Sequence, residues 1–355
     1  MAWAKSRPSA LFDLAISNVL GCSIEDLPGA AEALSLTGRN DDGYGPLLEA
    51  IAQRYGVTPS HVTTAQGASG ANFLVCAALL KPGDDVVVEL PGYDPLLGAP
   101  RLLNANVVRF ERTFEDGYAL DPRRVATAMT PRTKLIVVTS PHNPTGALAD
   151  AKALQDVGRN AASHGAHVLV DEVYLDTIAA AVTTAATYGD HFIVTSSLTK
   201  SYGLAGLRCG WILSSPDIAN RLRRARDVVD GTGSIVAERL GVLAFEHLAL
   251  LIARTRALLG VNKPLAINFL RSRPELSFVE PAGGTVVFPR ISGVTDTSTF
   301  ADRLLRERDT AVVPGRFFEA PGHIRVGFSG QTQPLKAGLA ALGAALDEKA
   351  WDGVR

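Results

Sequence analysis

Ser197-Leu-Thr-Lys200-Ser-Tyr-Gly-Leu-Ala-Gly-Leu-Arg208-Cys-Gly-Trp211 sets one lysine among hydroxyls, ahead of a glycine-rich turn, with an arginine at its far end. A lysine amine condenses with a carbonyl to give a Schiff base, and a hydroxyl with a guanidinium is what a phosphate dianion needs. The stretch reads as the seat of a phosphorylated aldehyde, with Lys200 as anchor and Ser197 and Arg208 as phosphate ligands. Taken alone it is weak, because most lysines are solvated surface residues. Its weight comes from the ordered set of motifs around it.

Upstream, Lys134–Thr139 is a short, apolar, β-rich run that predicts a buried strand. It delivers Ser140-Pro-His-Asn143-Pro-Thr-Gly146 at its carboxyl end, where open α/β sheets bind ligands. Asn143 could otherwise cap its own turn. The next run, His167–Val170, ends in Asp171-Glu-Val-Tyr174 and so puts a carboxylate and a phenol at the same sheet edge. Glu172 reads as a structural or solvated acid. Gln66-Gly-Ala-Ser69-Gly70 precedes the apolar run Ala71–Leu80 and predicts a glycine turn opening a helix, whose free amides attract phosphate. Ser69 would serve equally as a plain N-cap. After Val86–Leu90, the segment Pro91-Gly-Tyr93-Asp-Pro95 reads as a loop. Near the carboxyl terminus, Gly322-His-Ile-Arg325-Val-Gly-Phe-Ser329 alternates as a strand around one charge. An arginine there demands an anion, and a guanidinium grips a carboxylate with two parallel hydrogen bonds. Arg316 reads as a rim charge.

With these motifs in this order the chain resembles the class I/II aminotransferases, fold-type I enzymes of pyridoxal 5'-phosphate (PLP), whose lysine motif reads S-x-x-K-x-x-x-x-x-G-x-R. The resemblance runs from about residue 30 to 345. It implies a PLP Schiff base on Lys200 and phosphate held by Gly67, Ala68, Ser69, Ser197 and Arg208. It also implies Tyr93 stacked on the ring and Asn143 and Tyr174 bonded to the ring oxygen. Asp171 would pair with the ring nitrogen, and Arg325, beside Asn143, would hold the substrate carboxylate. Lys200, Asp171 and Tyr174 are the implied catalytic residues. No metal is expected.

The implied activity is transfer of an amino group between an amino acid and a 2-oxo acid, in a homodimer with shared active sites. The same residues would serve a PLP-dependent lyase or cyclase, either a C–S β-lyase or a capreomycidine-synthase-like cyclase acting on a hydroxylated arginine. A PLP-binding regulatory module fused to a DNA-binding domain would need an N-terminal winged-helix segment, for which the sequence has no residues to spare. The start departs from the family pattern. Phe12–Ser17 comes so early that little of the usual amino-terminal helix is expected, and Leu48 and Gly38 stand where arginine and tyrosine are common. Tyr44 is the available substitute for that tyrosine.

Composition agrees. In 355 residues, 46% are hydrophobic and the formal net charge is -1, which allows an ample core and gives no electrostatic reason to expect nucleic acid or anionic membrane as partners. Cys22, Cys76 and Cys209 show no metal-ligand spacing and suit unpaired thiols in a reducing compartment. No secretory signal or membrane span is expected, and the expected location is cytoplasmic. Strand-like runs at 86–90, 106–110, 134–139, 167–170, 192–196 and 210–213 alternate with helix-like segments at 69–81, 121–129, 150–163 and 216–229. That pattern predicts an α/β fold with a mostly parallel, doubly wound sheet. Helical spacing over 234–271 predicts one or two long helices. Strands near 276–280, 285–290, 311–313 and 323–328 with helices near 298–308 and 333–348 predict a smaller α+β domain. The expected division is 36–250 for the large PLP-binding domain and 1–35 with 251–355 for a discontinuous small one.

Overall fold

Val, Ile and Leu run almost unbroken through the central strands, the composition of a parallel sheet covered on both faces. The computed structural model describes residues 2–180 and 182–349. Residue 1 and residues 350–355 of the expected small domain, and Ala181 in the thin Ala/Thr run at 178–187, lie outside the described residues. The strands are β1 (Val62–Gln66), β2 (Asp85–Leu90), β3 (Asn106–Glu111), β4 (Thr133–Thr139), β5 (His167–Asp171), β6 (Phe192–Ser197) and β7 (Cys209–Leu213). They form one seven-stranded sheet in the order β1-β7-β6-β5-β4-β2-β3. The pairs from β6 to β3 are parallel, and β7 runs antiparallel to both of its neighbours.

Alternation along these strands fills two cores. Val87, Ile136, Val138, Val168, Val170 and Val194 pack on one face with Leu47, Ile51 and Trp211. Their neighbours Val86, Val88, Leu135, Val137, Leu169 and Ile193 pack on the other with Leu74, Val75 and Leu222. Helices start where the side chain at the turn can take an orphan amide. Asp150 accepts from the Lys152 and Ala153 amides ahead of Ala151–Ser163, and Asp121 accepts from Arg123 ahead of Pro122–Ala128.

A separate core of Leu14, Ile267, Leu270, Phe300, Leu304, Val326 and Leu342 lies among the C-terminal elements. Here the short strands Leu276–Ser277, Val286–Val287, Arg290–Ile291, Val313–Pro314 and Ile324–Gly327 form two small antiparallel sheets. The expected strand 285–290 is interrupted at Pro289, which has no N–H to give to a ladder. Phe12–Asp13 pairs parallel with Thr310–Ala311, so the start of the chain is stitched into this region, while Leu27 and Ala30 pack on Leu240. The stretch 234–271 forms two helices, Ile235–Glu246 and Leu248–Arg271. At the amino terminus a single short helix, Ala2–Ser6, is present.

Candidate active site

The strand order explains why motifs far apart in sequence meet. Parallel β4, β5 and β6 end side by side at Thr139, Asp171 and Thr195–Ser197. Because β7 runs the other way, its first residues, just after Arg208, lie at that same edge. Ser197 pairs with Gly210, and Gln66 at the end of β1 pairs with Cys209. The edge opens into a pocket lined by Ala68, Ser69, Tyr93, Asn143, Asp171, Tyr174, Lys200 and Arg208.

At its floor stands Asp171, 6% exposed. It accepts from the Asn72 amide at 2.8 Å and from the Val173 backbone at 3.2 Å. The Asn72 carbonyl is taken by the Thr195 hydroxyl at 2.6 Å, which forces its NH2 toward Asp171. Burial pushes the Asp171 carboxyl up, and no ion pair with it occurs among the described residues. Asn72 holds the Asp171 carboxyl in place, a position that no motif in the sequence marks. Its one signal was a polar side chain inside an otherwise apolar helix.

The phosphate end is built from backbone. The helix Gly67–Leu79 begins at the predicted turn, and no side chain caps it, so its first amides are open. Ser69 sits inside the first turn and is not the N-cap. Arg208 takes the left-handed conformation with φ 51°, uncommon outside glycine, and this swings its guanidinium against Gly67, where a Cβ would collide with it. Gly67 therefore does not line the pocket; it makes room for the arginine. Ser197 is fully buried and its hydroxyl accepts the Thr199 amide at 3.3 Å, so the hydroxyl that reaches the pocket from this strand end is that of Thr199. Asn143 is held by its own amide bonding the Thr139 hydroxyl at 3.0 Å. That hydroxyl donates in turn to Glu89, which is buried in an ion pair with Arg112 at 2.8 Å. Gly146 closes the turn with φ 73°, where any side chain would run into Pro281.

The Lys200 ammonium reaches Ser17 Oγ at 2.9 Å and Asn18 Oδ1 at 2.5 Å. The Tyr174 hydroxyl donates to the Ser17 carbonyl at 3.3 Å. A second, adjoining pocket shares Tyr93 and Lys200 with the first and adds Arg325. Arg325 is 7% exposed and gives one nitrogen to Asn143 Oδ1 at 3.2 Å and another to the Ala15 carbonyl at 2.9 Å. Its Nε is buried without a partner, and among the described residues no carboxylate pairs with it. Burial lowers its pKa, with only the phenols Tyr174 and Tyr93 opposing. Arg316 is exposed over the Phe317 ring, as a rim charge would be. Tyr44 packs within its own chain under Arg239.

Glu172 points away from the pocket. It accepts the Thr184 hydroxyl at 2.7 Å and the Ala185 amide at 2.8 Å, fixing the turn there. Burial is the main reason its carboxyl rises from 4.5 to about 7. The unfolded chain thus loses this proton first as pH rises, so the stabilisation present below about 4.5 is lost through about 7. Glu172→Gln keeps the Ala185 amide bond on its oxygen and lets its NH2 donate to the Thr184 hydroxyl, so both contacts persist without the charge. We expect its unfolding free energy, from urea titration, to match the parent's at the acid end of this window and to exceed it above the window, by up to roughly 3 kcal/mol. A gap that is constant with pH would contradict this.

The family model for aminotransferase class I and II matches residues 13–342. Capreomycidine synthase of Streptomyces vinaceus is 33% identical over 322 residues, which covers 89% of this chain and 83% of that protein. The aspartate/prephenate aminotransferase of Thermus thermophilus is 27% identical, covering 84% and 80%. A PLP-dependent aminotransferase from Streptococcus suis superposes with a TM-score of 0.90 at 28% identity, covering 98% of this chain and 95% of that one.

Proposed function

The chain belongs to the aminotransferase class I and II family and is a PLP-dependent enzyme that moves an amino group between an amino acid and a 2-oxo acid, and on that premise we propose how its residues divide the work. The observation that carries the assignment is a pair of buried groups of opposite sign, Asp171 and Arg325, in no ion pair among the described residues, with Lys200 lining both of the adjoining pockets that hold them. An unpaired buried charge is costly and calls for a partner. Asp171 fits a protonated ring nitrogen, and Arg325 fits an α-carboxylate. The uncapped helix start at Gly67, with Ala68, Ser69, Thr199 and Arg208, fits the phosphate. The residues present therefore suit PLP, which when bound supplies an electron sink for the pair left as a bond at the substrate Cα breaks.

The remaining tasks fall to the chain. Lys200 holds the cofactor through its ε-amine and, once freed, carries a proton to and from the substrate Cα. Asp171 keeps the ring nitrogen protonated. Asn143 has its Oδ1 taken by Arg325, which leaves its NH2 to donate to the ring oxygen, and the Tyr174 phenol, on turning its O–H from the Ser17 carbonyl, would be the second donor. Tyr93 stacks on the ring. Ser197 supports the phosphate site from beneath. Arg325 orients the amino acid by its carboxylate. We expect Arg325→Ala to raise KM and to cost kcat/KM about 10²- to 10³-fold, the worth of a buried charge-assisted pair, and Arg325→Lys to recover only part of it. Steady-state kinetics on a good donor check this; a loss under about fivefold would contradict the assignment.

The finer reading extends to a homodimer with shared active sites, a cytoplasmic location, a biosynthetic role and the division into 36–250 and 1–35 with 251–355. The separate cores support the division. A second reading, elimination or cyclisation on the same residues, is favoured by the 33% identity to capreomycidine synthase. A donor panel separates the two. Conversion of the cofactor absorbance to that of its amine form, reversed by a 2-oxo acid, supports transamination. Release of ammonia with no oxo acid present supports elimination, and consumption of the donor with neither ammonia nor the amine form of the cofactor supports cyclisation.

A further inference from the structure

The start of the chain brings two side chains to the lysine that no motif marks. Lys200 Nζ donates to Ser17 Oγ at 2.9 Å and to Asn18 Oδ1 at 2.5 Å. Both residues line the second pocket together with Lys200 and Arg325. They are held there by contacts in which the lysine has no part. The Ser17 carbonyl accepts the Thr285 hydroxyl at 2.8 Å, and the Asn18 carbonyl accepts the Ser329 hydroxyl at 2.7 Å. Further back, the Leu14 carbonyl takes the Gly327 amide at 2.6 Å and the Ala15 carbonyl takes Arg325 at 2.9 Å. The close approach needs a glycine, because a Cβ at Gly327 would collide with the Ile16 carbonyl. Residues 14–18 are thus pinned to the strand Ile324–Gly327, on the same unit as the arginine proposed for the substrate carboxylate.

Such a fixed pair of acceptors is used in full only while the lysine is free. With its nitrogen bonded to the cofactor, Lys200 has at most one proton to give, so at least one of the two oxygens is left without it. When a substrate amine takes the cofactor over, the bond from the cofactor carbon to Nζ breaks, and Nζ gains the two protons that the incoming nitrogen loses. The freed amine next takes the Cα proton and becomes an ammonium with three N–H donors. Two of them match Ser17 Oγ and Asn18 Oδ1, the contacts present in the structure. The third is the proton in transit. With two N–H bonds pinned, the tetrahedral nitrogen leaves the third one direction.

Resting on the function proposed above, we infer that Ser17 and Asn18 are positioning residues that receive the freed Lys200 amine and aim it for transfer of the Cα proton. They favour the state in which substrate holds the cofactor over the state in which Lys200 holds it.

The experiment reads that exchange without turnover. The probe 2-aminoisobutyrate has an amine to take the cofactor from Lys200 but no Cα proton to lose, and isobutyrate has the carboxylate alone. PLP-loaded enzyme, with the cofactor first verified on Lys200, is equilibrated with 2-aminoisobutyrate and quenched with borohydride. The fraction of Lys200 left unmodified, read by mass spectrometry, gives the midpoint of release, and competition by isobutyrate gives the Kd of the carboxylate. Asn18→Leu, or Ser17→Ala should the first variant fail to fold, is expected to raise the midpoint about tenfold or more, the worth of one hydrogen bond to a charged donor. The isobutyrate Kd should stay within about twofold. In a single turnover with a good donor, the rate at which the cofactor reaches its amine form should fall by a similar factor. A midpoint that stays put, a midpoint that moves in step with the isobutyrate Kd, or an unchanged single-turnover rate overturns the inference and leaves the PLP assignment standing. Lack of any cofactor on Lys200 instead overturns the reading beneath it.

Discussion

Lys200→Ala is expected to lower kcat by at least ~10³-fold, because one substitution removes both the covalent anchor and the proton carrier at Cα. The rest of the proposed site remains: the open helix start, Arg208 and Thr199 would still hold the phosphate, and Asp171 would still pair with the ring nitrogen. PLP should therefore bind, but reversibly, and dialysis should remove it from the variant while leaving it on the parent. Added amines of small volume should restore part of the rate, since they replace the proton carrier without the tether. A variant that keeps more than about a tenth of the parental kcat would show that another group moves the proton.

The second large effect is expected at Asp171. Asp171→Asn preserves the volume and still accepts the hydrogen bond that Asn72 donates at 2.8 Å, but removes the charge and gives up the weaker 3.2 Å bond from the Val173 backbone. Without a buried carboxylate to keep the ring nitrogen protonated, kcat should fall by ~10³-fold, comparable to losing a preorganised electrostatic group in an active site. Stability should move the other way. In the cofactor-free protein Asp171 is a buried acid in no ion pair among the described residues, and its burial outweighs the attraction of Lys200, so neutralising it should leave the urea midpoint unchanged or raise it. Measuring kcat and the cofactor-free midpoint on the same variant separates a chemical role from a structural one. A drop in both would place Asp171 in the scaffold instead.

Much of the site could be read from the chain because each motif sits at the end of a strand, and the sheet brings strand ends together. Asn143, Asp171, Tyr174, Lys200 and Arg208 are legible this way: each follows a short apolar run or a glycine turn, and the structure gathers them at one edge. The partners one step removed are not legible. Asn72 reaches Asp171 across 99 residues of sequence, and Ser17 and Asn18 reach Lys200 across more than 180. No local pattern encodes such meetings. Thr199 and Ser197 look interchangeable in sequence, both hydroxyls ahead of the lysine. Only the pairing of Ser197 with Gly210, which holds it in the ladder, shows that it turns inward and Thr199 outward.

Local structure was lost where proline or brevity hid it. The helix Asp94–Leu102 carries Pro95 in its first turn, which a helix accepts, and Pro100 within it, which reads as a breaker. The segment 91–95 thus reads as a loop although a helix starts at Asp94. The strand Val62–Gln66 went unread because Thr63, Thr64 and Gln66 interrupt its apolar pattern. The sheet tolerates them because Thr63 bonds the Ala219 carbonyl and Thr64 bonds the buried Glu238.

The bond between the Lys200 ε-nitrogen and the cofactor is the point on which every other assignment turns. Its direct measurement is borohydride reduction of the PLP-loaded enzyme, followed by proteolysis and mass spectrometry of the peptides. The predicted result is a phosphopyridoxyl group on the peptide containing Ser197–Arg208, attached at Lys200, with loss of the visible absorbance. A reduced protein with Lys200 unmodified, or with the group on a different lysine, would contradict it.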